Sequence, residues 1–571
     1  MVKIMKPSLP QDDANKQKRS DFLSREQQAY QFDYNSLSPL ALLKTVPANE
    51  NFSSDYIGER IIATSELAVN MLAVRARSFL DPLDELQDYE DFFPVLRLPQ
   101  VAKTYQTDRS FAEQRLSGAN PMVLRLLSAT DPRAEIITKL DSKQPLLELP
   151  KLLREKSIYI ADYTGTDPNY RAPSRIQGGT YEKGRKYLPK PRAFFAWRWT
   201  GVRDRGELVP IAIQLDPKPG SRVYTPSDPP LNWLFAKLCV QVADANHHEM
   251  SSHLGRTHLV MEPIAIVTAR QLAENHPLSL LLKPHFRFML TNNNLARNQL
   301  IAPGGPVDEL LAGTLPETIE IGREACTNWS LDQFAFPTEL KNRGMDNTTQ
   351  LPHYPYRDDG LLLWNAIKTF VSGYLKYFYP TKQKLTDDTE LQRWAQELSS
   401  EKGGKVKGMP QRIEDVEQLI DIVTTVIFTC GPQHSAVNYT QHQYMSFAAN
   451  MPLAAYRDIP AINKSETPEV ITEMKILQLL PPYKKTAEQL QILFTLSAYK
   501  YDRLGYYDKS FRELYRATFD EVFEGTPIQQ LVRQFQQDLN VAEQKIDLNN
   551  KKRLVPYIAL KPSLVINSIS I

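Results

Sequence analysis

After residue 231 the chain carries apolar residues at helical spacing in segment after segment: 231–260, 263–290, 360–380, 412–430, 434–447, 485–504 and 510–540. Amphipathic helices at that density must bury their stripes against one another, which makes helix-on-helix packing the main solution open to the chain. Upstream the pattern changes. Residues 158–162 and 208–215 read as short strands between turn-rich stretches. Residues 61–80 contain neither proline nor glycine and read as an amphipathic helix. Glu401-Lys-Gly-Gly-Lys-Val-Lys-Gly408 has the composition of a surface loop, and no internal repeat is present. The expected fold is mostly α, a large helical body with small β elements. Residues 51–571 are expected to form that body, and residues 1–50 to precede it as an arm.

Charge and composition exclude several function classes. Sixty-eight basic residues face 66 acidic ones, a net of +2, so nothing in bulk electrostatics points to nucleic acid. Cys239, Cys326 and Cys430 are too scattered for a disulfide framework or a thiolate metal site. The first ten residues lack the apolar core of a secretion signal, and no apolar run reaches the ~20 residues of a spanning helix. A soluble, cytoplasmic protein is expected. Residues 1–30 are polar and charged and are expected to be poorly ordered. An apolar cluster follows at Leu37, Leu40, Leu42, Leu43 and Val46. Docking of this cluster on the main body is favoured over peripheral contact with a membrane, because buried apolar stripes are far commoner.

The nine histidines are unevenly placed. His247, His248, His253 and His258 share one window, and His434 and His442 another. A lone histidine is usually a satisfied core or surface residue, but two clusters in helical segments suit a metal held between facing helices. His434 and Asn438 are four apart and project from one helix face. His253 and His258 are five apart, ~140° around an ideal α-helix, so they converge only if the helix contains a π-type turn. His248-Glu-Met-Ser-Ser-His253 fails as a zinc-hydrolase motif, because that motif spaces its histidines by four.

His253-Leu-Gly-Arg-Thr-His258 with Glu262-Pro263 and His276-Pro277, then His434-Ser-Ala-Val-Asn438 with Gln441, then the terminal Asn567-Ser-Ile-Ser-Ile571, resemble the iron-binding segments of the lipoxygenase family. Tyr356-Arg-Asp-Asp-Gly-Leu-Leu-Leu-Trp364 and Asp162-Tyr163 agree outside those segments, and the resemblance runs from about residue 155 to the end. It implies one non-haem iron per chain, held by His253, His258, His434, Asn438 and the main-chain carboxylate of Ile571, with one octahedral position left for water or hydroxide. It also implies the reaction: the metal-bound hydroxide takes a hydrogen atom from a bis-allylic carbon of a polyunsaturated fatty acid, and O2 adds to the radical to give a hydroperoxide. Manganese-dependent relatives typically end in valine, so Ile571 points to iron.

The same resemblance places Leu254, Ala296, Leu300, Val307 and Leu496 along the substrate and O2 channel, and His248, Glu249 and Gln441 close behind the ligands. Each channel position is equally an ordinary core aliphatic when read by itself. Alanine at position 296 implies mainly S hydroperoxides. Two features depart from relatives. Asn450-Met-Pro452 stands where plant enzymes carry Asn-Arg-Pro, removing a basic partner for the substrate carboxylate. No run of some hundred residues with strand alternation precedes the catalytic region, so the family's N-terminal β-barrel lipid-binding domain is not expected. The alternatives are a hydroperoxide isomerase and a non-catalytic lipid-binding protein on the same scaffold.

Overall fold

The computed structural model describes residues 5–78, 83–140, 148–167, 170–199, 206–218, 221–459 and 470–571. Its axis is a helix that enters as Pro230–His247, widens to π pairing over His248–Leu259 and returns to α pairing over Val260–Gln271. Residues 232–247 are buried on every side, which accounts for their apolar character around the whole circumference. The polar residues among them are paired. Lys237 Nζ donates to Asp108 Oδ1 and to the Gln106 carbonyl, both at 2.7 Å. Asp244 takes Arg115 at 2.9 Å and the Tyr163 hydroxyl at 2.8 Å. Leaving any of these charges unpaired at this depth would be strongly destabilising.

Several expected breaks fall elsewhere. The break expected between residues 260 and 263 is absent, and Pro263 lies inside Val260–Gln271. It sits where the chain passes from π to α pairing, a place where the ladder is already shifted and a missing N–H is tolerated. The stretch 510–540 is three helices, Asp508–Tyr515, Phe519–Val522 and Ile528–Asn550. Arg516 and Gly525 turn left-handed at the two breaks, and Thr518 with Glu521 forms a capping box that starts the second. The helix expected over 61–80 runs from Ser54 to Arg77, begun by the Ser53 hydroxyl, which accepts from the Tyr56 N–H. Residues 79 and 80 lie outside the described residues.

Among the described residues, the β element is one five-stranded antiparallel sheet and two short ribbons. In the sheet, Arg125–Leu126, Ile158–Asp162, Arg192–Trp199, Gly206–Gln214 and Val223–Tyr224 pair in that order. The strand Arg192–Trp199 escaped the sequence reading because it is buried on both faces and so shows no alternation. Val416–Phe428 continues through a second π turn, Thr429–Gln433, into His434–Asn438, which packs on the π stretch of the axial helix.

The N-terminal segment corrects one expectation. Residues 16–29 form a helix in which Arg19 is buried and paired in a fork to both carboxylate oxygens of Glu390, so the described part of the expected arm is docked. Leu42 and Leu43 are fully buried, while Leu37, Leu40 and Val46 are half-buried. The Leu43 N–H donates to Glu262 Oε1 at 2.8 Å and its carbonyl accepts from Arg297. The cluster is thus latched to the axial helix and offers little to a lipid surface. Among the described residues, no helix is long and apolar enough to cross a membrane.

Candidate metal centre

The π stretch does what the five-residue spacing requires. It rotates His258 back onto the face of His253, and the facing helix supplies His434, so that one nitrogen from each ring lies within 4.8 Å of the others. The His258 Nδ1–H donates to Asn293 Oδ1 at 3.0 Å, which fixes the tautomer and leaves the Nε2 lone pair facing His253 Nε2 at 3.1 Å. Both ring nitrogens of His434 are buried with no hydrogen-bond partner. Three convergent imidazoles, two with their Nε2 atoms facing each other and one ring without a hydrogen-bond partner, make an arrangement that an ion between them would satisfy.

Asn438 lies one turn beyond His434, and its carboxamide is fixed at both ends. Its Nδ2 donates to the Leu496 carbonyl at 2.8 Å, and its Oδ1 accepts from Gln441 Nε2 at 2.9 Å while keeping a second lone pair. The C-terminus reaches the same place. The Asn567 N–H donates to the Asp502 carbonyl, its carbonyl accepts from His285 Nδ1, and the Tyr56 hydroxyl donates to the Ser570 carbonyl. Gly431 permits this approach, since a Cβ there would lie 2.8 Å from the Ile566 carbonyl oxygen. Ile571 ends buried among Tyr56, Phe288, Tyr499 and Tyr501, with its backbone against His434.

Behind the ligands, His248 Nε2–H donates to the Val437 carbonyl at 2.8 Å. Glu249 lies 3.4 Å from His248 Nδ1 and 3.8 Å from His253 Nδ1. Burial pushes the Glu249 carboxyl up, but His248 beside it outweighs that and holds it at about 2. Asn293 and the Glu262–Arg297 pair, at 2.8 Å, were not anticipated. Asn293 joins them by donating to Glu262 Oε2 while accepting from His258. Glu262 stands four residues after His258 in the sequence, but nothing local marks its partners. His442 bonds Ser446, and His276 caps a helix and pairs with Asp388, so neither joins the cluster. Burial raises all three thiols, Cys326 to about 12, and no cysteine belongs to the cluster. Three imidazoles with carboxamide and carboxylate oxygens suit iron or manganese better than a thiolate-seeking metal.

Burial holds all three clustered imidazoles below their ordinary value, His258 at about 3, with His253 adding to the effect. They are neutral at pH 7, as metal ligands must be. Because the unfolded chain binds protons that the folded site refuses, stability rises with pH in this window and is lost as pH falls below the unfolded value. Metal-stripped protein is therefore expected to show a lower urea midpoint at about pH 5 than at about pH 7. An unchanged midpoint would contradict the neutral cluster.

Beside the cluster opens a cavity of about 260 Å³ with a mostly aliphatic wall. Leu254, Ala296, Leu300, Val307 and Leu496 all line it, together with His253, His258, Glu249 and Ile571. Arg60, on the helix Ser54–Arg77, is the one lysine or arginine among the lining residues.

The family model described as Lipoxygenase matches residues 194–556. The linoleate 9/13-lipoxygenase of Pseudomonas aeruginosa is 33% identical over 499 residues, spanning 84% of this chain and 69% of that protein. The human hydroperoxide isomerase ALOXE3 is 30% identical over 516 residues, spanning 88% and 68%. A variant LOX crystallised anaerobically in complex with arachidonate superposes with a TM-score of 0.85 at 27% identity, covering 99% of this chain and 83% of that one.

Proposed function

The chain belongs to the lipoxygenase family, and from that premise we propose that it dioxygenates polyunsaturated fatty acids to hydroperoxides at one non-haem iron per chain. The observation that carries the reading is the convergence of His253, His258 and His434 beside an aliphatic cavity whose wall includes His253 and His258. Asn438 and the Ile571 carboxylate complete the ligand set. When bound, the iron supplies the one-electron redox chemistry that removes a hydrogen atom from a bis-allylic carbon.

The chain's own residues do the rest. Asn293 holds the His258 tautomer, and Gln441 holds the Asn438 carboxamide, so each ligand meets the ion in a fixed orientation. The aliphatic wall strips water from the acyl chain and holds one carbon opposite the ligands, leaving O2 to react with the radical where the wall leaves room. Incubation with linoleate and O2 tests the reading: conjugated-diene hydroperoxide is expected, and consumption of added hydroperoxide without diene formation would favour the isomerase instead.

Arg60 is the partner we assign to the substrate carboxylate, since Asn450-Met-Pro452 offers none. Arg60 is half-buried, so the pair is worth less than a desolvated one. Arg60→Gln is expected to raise KM for linoleate about two- to fivefold with kcat little changed. An unchanged KM would place the carboxylate elsewhere.

Ala296 opens a short π turn, Ala296–Leu300, on the cavity wall. We assign it the control of which end of the radical O2 meets. Mainly S product is expected, and Ala296→Gly is expected to move oxygen to the other end with inverted configuration, because ~1.4 kcal/mol of barrier difference already gives a tenfold ratio. Chiral chromatography reads both, and a predominantly R wild-type product would remove Ala296 from that role. With residues 37–46 docked, we assign contact with lipid surfaces to exposed apolar side chains of the helix Ser54–Arg77, namely Ile57, Ile61, Ile62, Val69 and Leu72.

A further inference from the structure

A second cavity, of about 470 Å³, opens against the axial helix and shares no lining residue with the aliphatic one. Its size suits a small molecule, but its wall is chiefly polar, and an acyl chain there would strand polar groups without partners. Gln333 and Asn342, both exposed, stand at its mouth, where the Asn342 amide donates to Gln333 Oε1 at 3.3 Å. His247, only 4% exposed, marks its inner end.

The hydrogen bonds around His247 fix which of its nitrogens carries the proton. Asp244, paired with Arg115, only accepts, so the Asn120 atom that meets it at 2.8 Å is the amide Nδ2. The same Nδ2 meets His247 Nδ1 at 3.0 Å, and the Ser252 hydroxyl donates to Asn120 Oδ1 at 2.8 Å. His247 Nδ1 therefore accepts, and its proton sits on Nε2. Among the described residues no group accepts from that N–H, and the ring lines the cavity. Burial, with the charge of nearby Arg256, holds His247 well below its ordinary value, so the donor is neutral. The carboxylates of the wall are already engaged. Asp162 holds Arg133 at 2.7 Å and Arg192 at 3.0 Å, Asp167 holds Arg125 at 2.7 Å, and Glu339 grips Arg343 in a fork. Arg256 adds positive charge and a guanidinium with five donors, its face 5.0 Å from the Phe334 ring centre. The site thus presents donors to a ligand that must accept.

We propose that this cavity binds a small oxyanion, a carboxylate or phosphate on a polar molecule, between His247 Nε2–H and Arg256, and that its occupancy braces the π stretch His248–Leu259. Charge-assisted bonds from a guanidinium and an imidazole N–H suit either anion. Both donors belong to the ligand-bearing helix, His247 directly before the π stretch and Arg256 inside it, between His253 and His258. The Arg256 carbonyl accepts at 3.0 Å from Gln433 Nε2, the residue before His434. Ser252, tied to His247 through Asn120, directly precedes His253. A ligand held at these two side chains therefore restrains the backbone that carries the clustered imidazoles.

Calorimetric titration of the intact protein with inorganic phosphate and, separately, with succinate tests the site at constant ionic strength. Saturable binding of one anion per chain is expected, with a raised melting temperature, since a ligand of the folded state stabilises it by mass action. Phosphate alone binding would identify a phosphate ligand, succinate alone a carboxylate, and both the chemistry they share. Arg256→Gln, which removes the charge, and Gln333→Trp, which fills the mouth, are each expected to weaken binding at least about tenfold. Gln333 is exposed, so its variant carries the test if Arg256→Gln does not fold. Amide hydrogen exchange across His248–Leu259 is expected to slow severalfold when the anion is bound. Saturable binding of neither anion, undiminished binding in folded Gln333→Trp, or displacement of the anion by linoleate would overturn the site. Binding with unchanged exchange across that stretch would overturn the brace.

Discussion

Deletion of Ile571, or any extension beyond it, is expected to leave less than about one hundredth of the wild-type turnover, a loss beyond the 10–100-fold that changes behind a metal ligand commonly cause. The tail reaches the cluster only because its path is built for it. Asn567 is held by Asp502 and His285, Ser570 by Tyr56, and Gly431 leaves space for the Ile566 carbonyl. A terminal carboxylate brings a negative charge to a cationic site, whereas a peptide extension replaces it with a neutral amide and adds atoms among Tyr56, Tyr499 and Tyr501. The upstream anchors persist in both variants, so the fold should survive. Steady-state diene formation measures the loss, circular dichroism checks the fold, and a C-terminally tagged protein with normal turnover would contradict the assignment.

His258→Ala and His434→Ala are expected to lose the metal while largely keeping the fold. Each removes one of three imidazoles that the π stretch and the facing helix bring within 4.8 Å, and two cannot enclose an ion as three do. The truncation also leaves a cavity, worth about 2–5 kcal/mol for a large buried side chain, so a lowered melting temperature accompanies the loss. His442→Ala separates the effects. That ring bonds Ser446 and packs on Phe494 away from the cluster, and its removal should cost stability without metal. Elemental analysis decides the matter: full metal in His258→Ala or His434→Ala, or metal loss in His442→Ala, would break the assignment.

Much of this site was legible before any coordinates. The five-residue gap between His253 and His258 makes sense only on a widened turn, and the helix widens there, over His248–Leu259. The second π turn, Thr429–Gln433, left no comparable mark, because only one ligand-type histidine follows it. Long amphipathic segments such as Pro355–Phe378 declared themselves through period, whereas Arg192–Trp199, buried on both faces, had no period to show. Asn293, Glu262 and Arg297 were missed for another reason: their roles depend on contacts across 31–35 residues of chain, and to Leu43 across far more, which no local pattern encodes. The N-terminal segment misled in the opposite sense. Its charge suggested an arm, yet Arg19 and Glu390 neutralise each other in the interior, 371 positions apart.

The central claim, a fatty-acid dioxygenase that uses one iron held by this cluster, is tested most directly by following O2 uptake and conjugated-diene absorbance together on linoleate, in protein of measured iron content. The account predicts one O2 consumed per diene formed, with turnover proportional to iron up to one ion per chain. Iron-replete protein that binds linoleate without consuming O2, or that consumes hydroperoxide without forming diene, would contradict it.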